Sequence, residues 1–184
     1  MSRIPLDCSS RFGRFTAWAS RRMYGQDLDP AQAIAHHPAV ALSTALHETT
    51  VRSWHRLPPT LQALATMLPS ARIGCSWCID FGYYVSHHQG VPVRKLEDVA
   101  NWRESPAYDE TERAVLEYAE AMTETPPTVT DELMLRLRSH LDDAQIVELT
   151  ALVALENQRS RTNAALGLTS QGFKESCALP AVPA

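Results

Sequence analysis

The longest helix that the sequence predicts restricts the fold more than any other feature. Asp142 and Gln145 have the spacing of a capping box, which satisfies the free backbone N–H groups where a helix begins. From there apolar residues recur at helical spacing as Ile146, Leu149 and Val153. Gly167 is typical of a helix C-terminus. We therefore predict one helix from residue 142 to about 166, with a polar interruption of its apolar stripe.

Shorter helices are predicted along the rest of the chain, separated by proline, glycine and capping residues. The composition agrees, because Ala (24) and Leu (20) far outnumber Val (11) and Ile (5). Ala and Leu favour helices, whereas β-branched residues favour strands. The predicted segments are 12–19, 30–36, 38–55, 60–68, 75–89, 93–101, 109–122 and 130–141. We expect Thr60 to cap its helix, Pro69 to bend or end it, and the chain from Lys174 to fray. The prediction is an all-α multi-helix bundle that forms a single domain.

Charge and hydropathy exclude several classes of protein. The chain has 17 basic and 21 acidic residues, a net charge of -4, which is unlike a protein that neutralises nucleic-acid phosphates. No apolar run approaches the ~20 residues of a spanning helix. The first 18 residues lack an apolar segment of signal-peptide length. We expect a cytoplasmic protein that binds neither nucleic acid nor membrane.

Cys75-Ser76-Trp77-Cys78 is the sharpest chemical feature of the sequence. A Cys-x-x-Cys pair at a helix N-terminus gains thiolate character from free N–H groups and from the helix dipole. We favour a redox pair, and two inert buried cysteines remain the main alternative. A metal site is less favoured, because His87 lies about 180° around the helix from Cys78. His87 and His88 are expected at a surface or interface, and we predict no metal and no cofactor.

The residues around this pair resemble the carboxymuconolactone decarboxylase / alkylhydroperoxidase D family. The resemblance is carried by the segment 74–81 with Gly90, by residues 112–119, and by 143–149 with Asn157 and Arg161. It implies a core at 57–168, an N-terminal helical extension at 1–56 and a C-terminal tail at 169–184. It also implies packing of the helices into homo-oligomers, which could be dimers, trimers or hexamers.

The cysteine-bearing branch of this family reduces hydroperoxides, with electrons from a thiol or dithiol partner. By position, Cys78 would attack the peroxide and Cys75 would resolve the sulfenic acid as a disulfide. Two side chains of the family's proton relay are missing, since its His position is Gly82 and its Glu position is Ala63. Gly82 is expected to leave room for a ligand or a neighbouring chain.

Three explanations of the missing relay stay open at this point. A base could come from elsewhere, with Asp80, His47 or His140 as candidates, although Asp80 is more simply an exposed or capping carboxylate. The pair could react slowly with help from the dipole alone. Finally, the protein could be something other than a peroxidase, namely a lyase of the decarboxylase branch or a non-catalytic redox sensor or scaffold.

Overall fold

Helices make up all of the regular structure in the part of the chain that the computed structural model describes, residues 2–6 and 9–177. The α-helices are α1 (Arg11–Tyr24), α2 (Asp29–Ile34), α3 (Pro38–Val51), α4 (Pro59–Ile73), α5 (Ser76–His88), α6 (Val93–Glu97), α7 (Glu110–Thr123), α8 (Asp131–Arg138), α9 (Asp143–Leu166) and α10 (Phe173–Cys177), with a 3₁₀ helix at Val99–Asn101. The predicted all-α fold is confirmed.

Local capping sets where several of these helices begin. In α7 the Asp109 side chain accepts from the Glu112 N–H, and the Glu112 side chain accepts from the Asp109 N–H. Asp142 and Gln145 exchange the same pair of bonds, 2.8 and 3.0 Å long, at the start of α9. Thr130 Oγ1 accepts the Leu133 N–H to open α8. These helix starts lie where the sequence predicts them, because each cap uses groups only three residues apart.

The expected cap at Thr60 is wrong, and Pro69 does not end its helix. Helix α4 begins at Pro59, after Pro58, and Thr60 belongs to its first turn. Proline suits this position because its fixed φ matches the helix and its missing N–H has no partner there anyway. Pro69 lies inside α4, which continues to Ile73. One proline removes one backbone hydrogen bond, and the buried surface of α4 outweighs that loss.

Helix α4 forms the centre of its part of the fold and packs against α5 and α7. It is buried on most of its surface, through Leu61, Ala63, Leu64, Ala65, Met67, Leu68, Pro69 and Ser70. Helix α9 is tied to the same centre by polar contacts. Tyr118 of α7 shares a 2.8 Å hydrogen bond with Thr150, and Glu148 of α9 accepts from Gln62 of α4 at 2.9 Å.

Two compact units divide the chain. One runs from the N-terminus to His55 and includes Ala165–Leu168, and the other comprises Arg56–Ala164 and the residues from Thr169 onward. In the first unit α1 packs on α2 and α2 packs on α3. The second unit contains α4 to α8, most of α9, and α10. Among the residues described, no helix is both long enough and apolar enough to cross a membrane.

The beginning of the C-terminal tail is ordered, which corrects the expectation that it frays. Residues Phe173–Cys177 form α10, and α10 packs against α5. Phe173 is 2% exposed, with its ring 5.2 Å from that of Phe81. The segment forms a helix despite its weak helical pattern, because the Phe173 side chain buries a large apolar area when α10 packs on α5. Cys8 and the tail beyond Cys177 lie outside the described residues.

Candidate active site at the start of α5

The turn between α4 and α5 brings the cysteine pair to a helix N-terminus. Gly74 ends α4 with a left-handed φ of 77°, a conformation that favours glycine. The next N–H, that of Cys75, donates to the Ser70 carbonyl at 3.0 Å. Cys75 is then the N-cap of α5, and its Sγ accepts the Cys78 N–H at 3.2 Å. Both sulfurs therefore lie in the first turn of α5, as the spacing predicts.

Cys75 and Cys78 are joined by a disulfide, with their Cα atoms 5.3 Å apart. Their exposed fractions are 1% and 7% in the single chain. A reagent of any size therefore reaches the sulfurs only if neighbouring side chains move. The disulfide is the oxidised form of a Cys-x-x-Cys dithiol. It lies at the N-terminus of α5, where the helix dipole favours a thiolate once the bond is reduced.

Asn163 of α9 is a site residue that the sequence analysis missed. Its Nδ2 donates to Cys78 Sγ at 3.3 Å, and its side chain is buried. A hydrogen bond to sulfur stabilises the thiolate more than the thiol. The sequence carried a usable signal, because Glu156, Ser160 and Asn163 fall at i, i+4 and i+7 and so share one face of α9.

Glu156 forms a buried polar cluster on that same face. Its Oε1 accepts from Ser160 Oγ at 2.7 Å and from Ser70 Oγ at 2.9 Å, and Arg159 lies 3.3 Å from its other oxygen. Burial raises the pKa of Glu156 above the ordinary carboxyl value, although Arg159 and the two serines act against the rise. The cluster is linked to the cysteine turn through Ser70, whose carbonyl accepts the Cys75 N–H.

Gly82 does not open a space for a ligand, which corrects the expectation from the sequence. A Cβ placed on Gly82 would lie 2.8 Å from Met67 Sδ, closer than van der Waals contact allows. Met67 is 1% exposed. A thioether is no proton acceptor at neutral pH, so the side chain that fills the place of the family His is not a base. Ala63 is likewise buried, on α4.

Two of the three candidate bases named from the sequence, Asp80 and His140, contact other groups. The Asp80 carboxylate accepts from the backbone N–H groups of Gln171, Phe173 and Lys174 at 2.7 to 3.1 Å. It therefore caps α10, as one of the two interpretations held, but it is buried rather than exposed. His140 Nδ1 lies 3.2 Å from Thr111 Oγ1. His47 belongs to the N-terminal unit, against Trp54.

The pKa of Asp80 reflects two opposing influences. Burial alone raises it, but hydrogen bonds from the backbone of Lys174, Phe173 and Gln171 and from the Ser170 hydroxyl outweigh burial and hold it below the ordinary value of 3.8. The carboxylate is thus ionised at neutral pH, and it serves the junction of α5 with α10 rather than the sulfurs.

Aromatic side chains on α5 pack against α10. The Trp77 and Phe81 rings stack at 4.8 Å, and Tyr84 and Phe81 each lie within 5.3 Å of Phe173. Trp77 Nε1 donates to Gln171 Oε1 at 2.7 Å. This aromatic cluster is core packing between the two helices.

Comparisons with known proteins show the family of this chain and agree with its fold. The profile of the Carboxymuconolactone decarboxylase family matches residues 38–121. The uncharacterized protein YnjA of Escherichia coli (strain K12) is 36% identical over 184 residues, covering 98% of this chain and 95% of YnjA.

Two solved structures share the fold. ATU0492 from Agrobacterium tumefaciens, a protein of unknown function proposed to be the antioxidant defence protein AhpD, has a TM-score of 0.71 and 27% identity, covering 75% of this chain and 94% of that one. A peroxidase-related protein from Ralstonia eutropha JMP134, described as an alkylhydroperoxidase AhpD core, has a TM-score of 0.83 and 18% identity, covering 97% of each chain. The helical fold is therefore shared well beyond close sequence similarity.

Proposed function

Because this chain belongs to the carboxymuconolactone decarboxylase family, we propose that it reduces hydroperoxides with Cys75 and Cys78. The observation that carries the proposal is the disulfide between them at the start of α5. This bond is the oxidised product that such a cycle leaves. The names of the similar solved structures, an antioxidant defence protein and a peroxidase-related protein, are consistent with it.

The cycle has three balanced steps. The Cys78 thiolate attacks the peroxide, so that an S–O bond forms, the O–O bond breaks, and the leaving alkoxide takes a proton to become an alcohol. The Cys75 thiolate then attacks the sulfenic acid of Cys78, forming the disulfide and releasing water once the departing hydroxide is protonated. A thiol or dithiol donor returns two electrons and two protons. The order, with Cys78 first, follows the family resemblance, and the Asn163 hydrogen bond to Cys78 Sγ supports it.

The proposed setting is a cytoplasmic homo-oligomer with a small hydroperoxide as its substrate. A reducing compartment keeps donor thiols available for the last step of the cycle. Because both sulfurs are nearly inaccessible, modest side-chain movement would admit a small peroxide more readily than a bulky one. The protein needs no resident cofactor in this scheme, since the electrons come from the donor thiols.

Stopped-flow measurement of peroxide consumption with a dithiol donor tests the proposal. We expect Cys78→Ser to abolish consumption. Cys75→Ser should react once and accumulate a sulfenic acid that a dimedone trap captures. Cys8→Ser serves as the control for a cysteine outside the pair and should keep the wild-type rate. Equal rates in the wild type and in Cys78→Ser would remove the proposal.

A second candidate is a non-catalytic oligomeric module, which would act as a redox sensor or a scaffold. It is favoured by the burial of both sulfurs and by Ala63 and Gly82 at the positions of the family relay. Titration of the reduced thiols against pH discriminates, since a pKa at or above the free value of ~8.5 favours inert thiols. A lyase of the decarboxylase branch would instead keep its activity after loss of both cysteines.

A further inference from the structure

The C-terminal end of α5 carries a cluster of metal-ligating side chains that the peroxide chemistry does not use. His87 and His88 are the last residues of α5, and Cys177 is the last residue of α10. One ligand atom from each of the three lies within 4.8 Å of the others. We propose that His87, His88 and Cys177 bind one soft divalent transition-metal ion, with Zn²⁺ as the reference ion.

The fold, not the local sequence, brings Cys177 to this position. The Asp80 carboxylate accepts from three backbone N–H groups, one just before α10 and two in its first turn. Phe173 packs against Phe81 and Tyr84. These contacts place the two helices side by side with both C-terminal ends at the same place. The thiol is thus brought to two imidazoles that lie 89 and 90 residues away in the sequence.

Contacts within α5 hold both imidazoles in place, and that of His88 has the orientation usual for a metal ligand. His88 Nδ1 lies 2.8 Å from the Tyr84 carbonyl, and the proton that this contact requires leaves the Nε2 lone pair for a ligand. The ring of His87 is stacked on Tyr83 at an interplanar angle of 10°. His87 Nδ1 is inaccessible to solvent and has no hydrogen-bond partner among the described residues. A buried ring nitrogen without a partner is costly, and a nearby cation would offset that cost.

The electrostatic surroundings favour a cation. The site lies at the C-terminal end of α5, which is the negative end of the helix dipole. Lys174 is the cation nearest in sequence to Cys177, and its Nζ lies 4.7 Å from the centre of the Tyr83 ring and 3.6 Å from Glu97. Its charge is therefore balanced by Glu97.

The donor set determines which ions fit. Two imidazoles and one thiolate suit Zn²⁺, and also Co²⁺ and Cu²⁺, better than Mg²⁺ or Ca²⁺. In a tetrahedral zinc site such atoms lie roughly 3.3–3.6 Å apart. Side-chain rotations that move the ligand atoms by about an ångström would bring them to these distances. Three protein ligands leave one position open to water or to an outside ligand. The site is ~18 Å from the cysteine pair along α5, so it is independent of the proposed peroxide chemistry.

Cobalt titration of a variant with a single thiol provides the test. In Cys8→Ser/Cys75→Ser/Cys78→Ser only Cys177 can supply a thiolate. We expect one Co²⁺ per chain, with a thiolate-to-cobalt charge-transfer band that Zn²⁺ abolishes by displacement. Adding Cys177→Ser should remove the band, and adding His88→Gln should weaken binding at least about tenfold. The matched control is His36→Gln/His37→Gln, the other adjacent histidine pair, which should leave binding unchanged.

Three results would overturn the proposal: absence of the band, persistence of the affinity after Cys177→Ser, or loss of binding in the His36/His37 control. Circular dichroism checks that the single-thiol variant is folded. If it is not, calorimetric titration of Zn²⁺ into Cys8→Ser with its disulfide closed applies the same criterion, with and without His88→Gln. Either readout is independent of peroxidase activity.

Discussion

At the scale of single residues, Met67 fills the space beside Gly82, which stands at the position of the family's His. The Met67 sulfur occupies the space that a side chain at position 82 would need, 2.8 Å from the place of a Cβ. On the helical wheel, position 82 lies ~40° from Cys78, on the face of the sulfurs. An imidazole on Gly82 would therefore need the end of the Met67 side chain to move or to be shortened.

Restoring the family His tests this explanation. Gly82→His alone should lower the free energy of unfolding by about 1–3 kcal/mol, because the ring overpacks against Met67. Gly82→His/Met67→Ala should recover part of that loss. It should also raise the rate of peroxide consumption at least about tenfold, because the imidazole can accept the thiol proton. Urea unfolding and stopped-flow kinetics measure the two effects.

The control for the double variant is Gly82→Gln/Met67→Ala, which fills a similar volume without a base. An equal rate in the Gln and His double variants would mean that proton transfer does not limit the reaction of the pair.

At the scale of helices, two buried carboxyl groups join elements and have opposite pH dependence. Asp80 joins α5 to α10, and its pKa is lowered. The fold thus favours the charged form, and this contribution is present above the ordinary value of 3.8 and is lost as the pH falls through the folded pKa. Glu156 joins α9 to Ser70 of α4, and burial raises its pKa above the ordinary value of 4.5. The fold favours its protonated form, so stability declines as the pH rises from 4.5 through the folded pKa.

The two amide variants should separate these contributions. Asp80→Asn should lower the free energy of unfolding at neutral pH by about 1–3 kcal/mol, since α10 loses its charged acceptor. It should also reduce the further loss of stability at acid pH, the acid limb of the stability curve. Glu156→Gln should keep the acceptor for both serines and flatten the decline above pH 4.5. Urea unfolding at a series of pH values from about 3 to 8 measures both.

Glu104→Gln, at an exposed position in the loop before α7, is the matched control and should follow the wild-type curve. An unchanged acid limb in Asp80→Asn would contradict the role assigned to this capping carboxylate.

At the scale of the whole molecule, the N-terminal unit exposes large apolar side chains that the single chain leaves uncovered. Phe15 and Trp18 of α1 are 60% and 62% exposed, with their rings 6.0 Å apart, and Leu46 of α3 is 60% exposed. Large exposed apolar groups at neighbouring positions mark interaction surfaces. A second copy of the chain fits the expected oligomer.

Sedimentation velocity tests this expectation. Wild-type protein should sediment as a homo-oligomer, and Trp18→Lys should shift the distribution towards smaller species, because a charge buried at an interface is costly. Leu135→Lys is the control, a 69% exposed leucine in the other unit, and should leave the distribution unchanged. A monomeric wild type would contradict the expectation.

The sequence by itself determined the all-α class, most helix starts and the location of Cys75 and Cys78 in a first turn. Capping groups, the end of α4 at Gly74 and the Cys-x-x-Cys spacing all act within about one helical turn. The residues concerned are therefore close in any helical fold of this chain, and local pattern is sufficient to find them.

Only the tertiary structure decided what surrounds the sulfurs and what lies at the other end of α5. Asn163 on Cys78, Met67 over Gly82 and Cys177 beside His88 join residues far apart in the sequence. The burial of α4, which lets the helix continue beyond Pro69, likewise depends on residues far apart in the sequence. Such contacts depend on how helices pack, and packing depends on the combined shape of many side chains rather than on the spacing of any one motif.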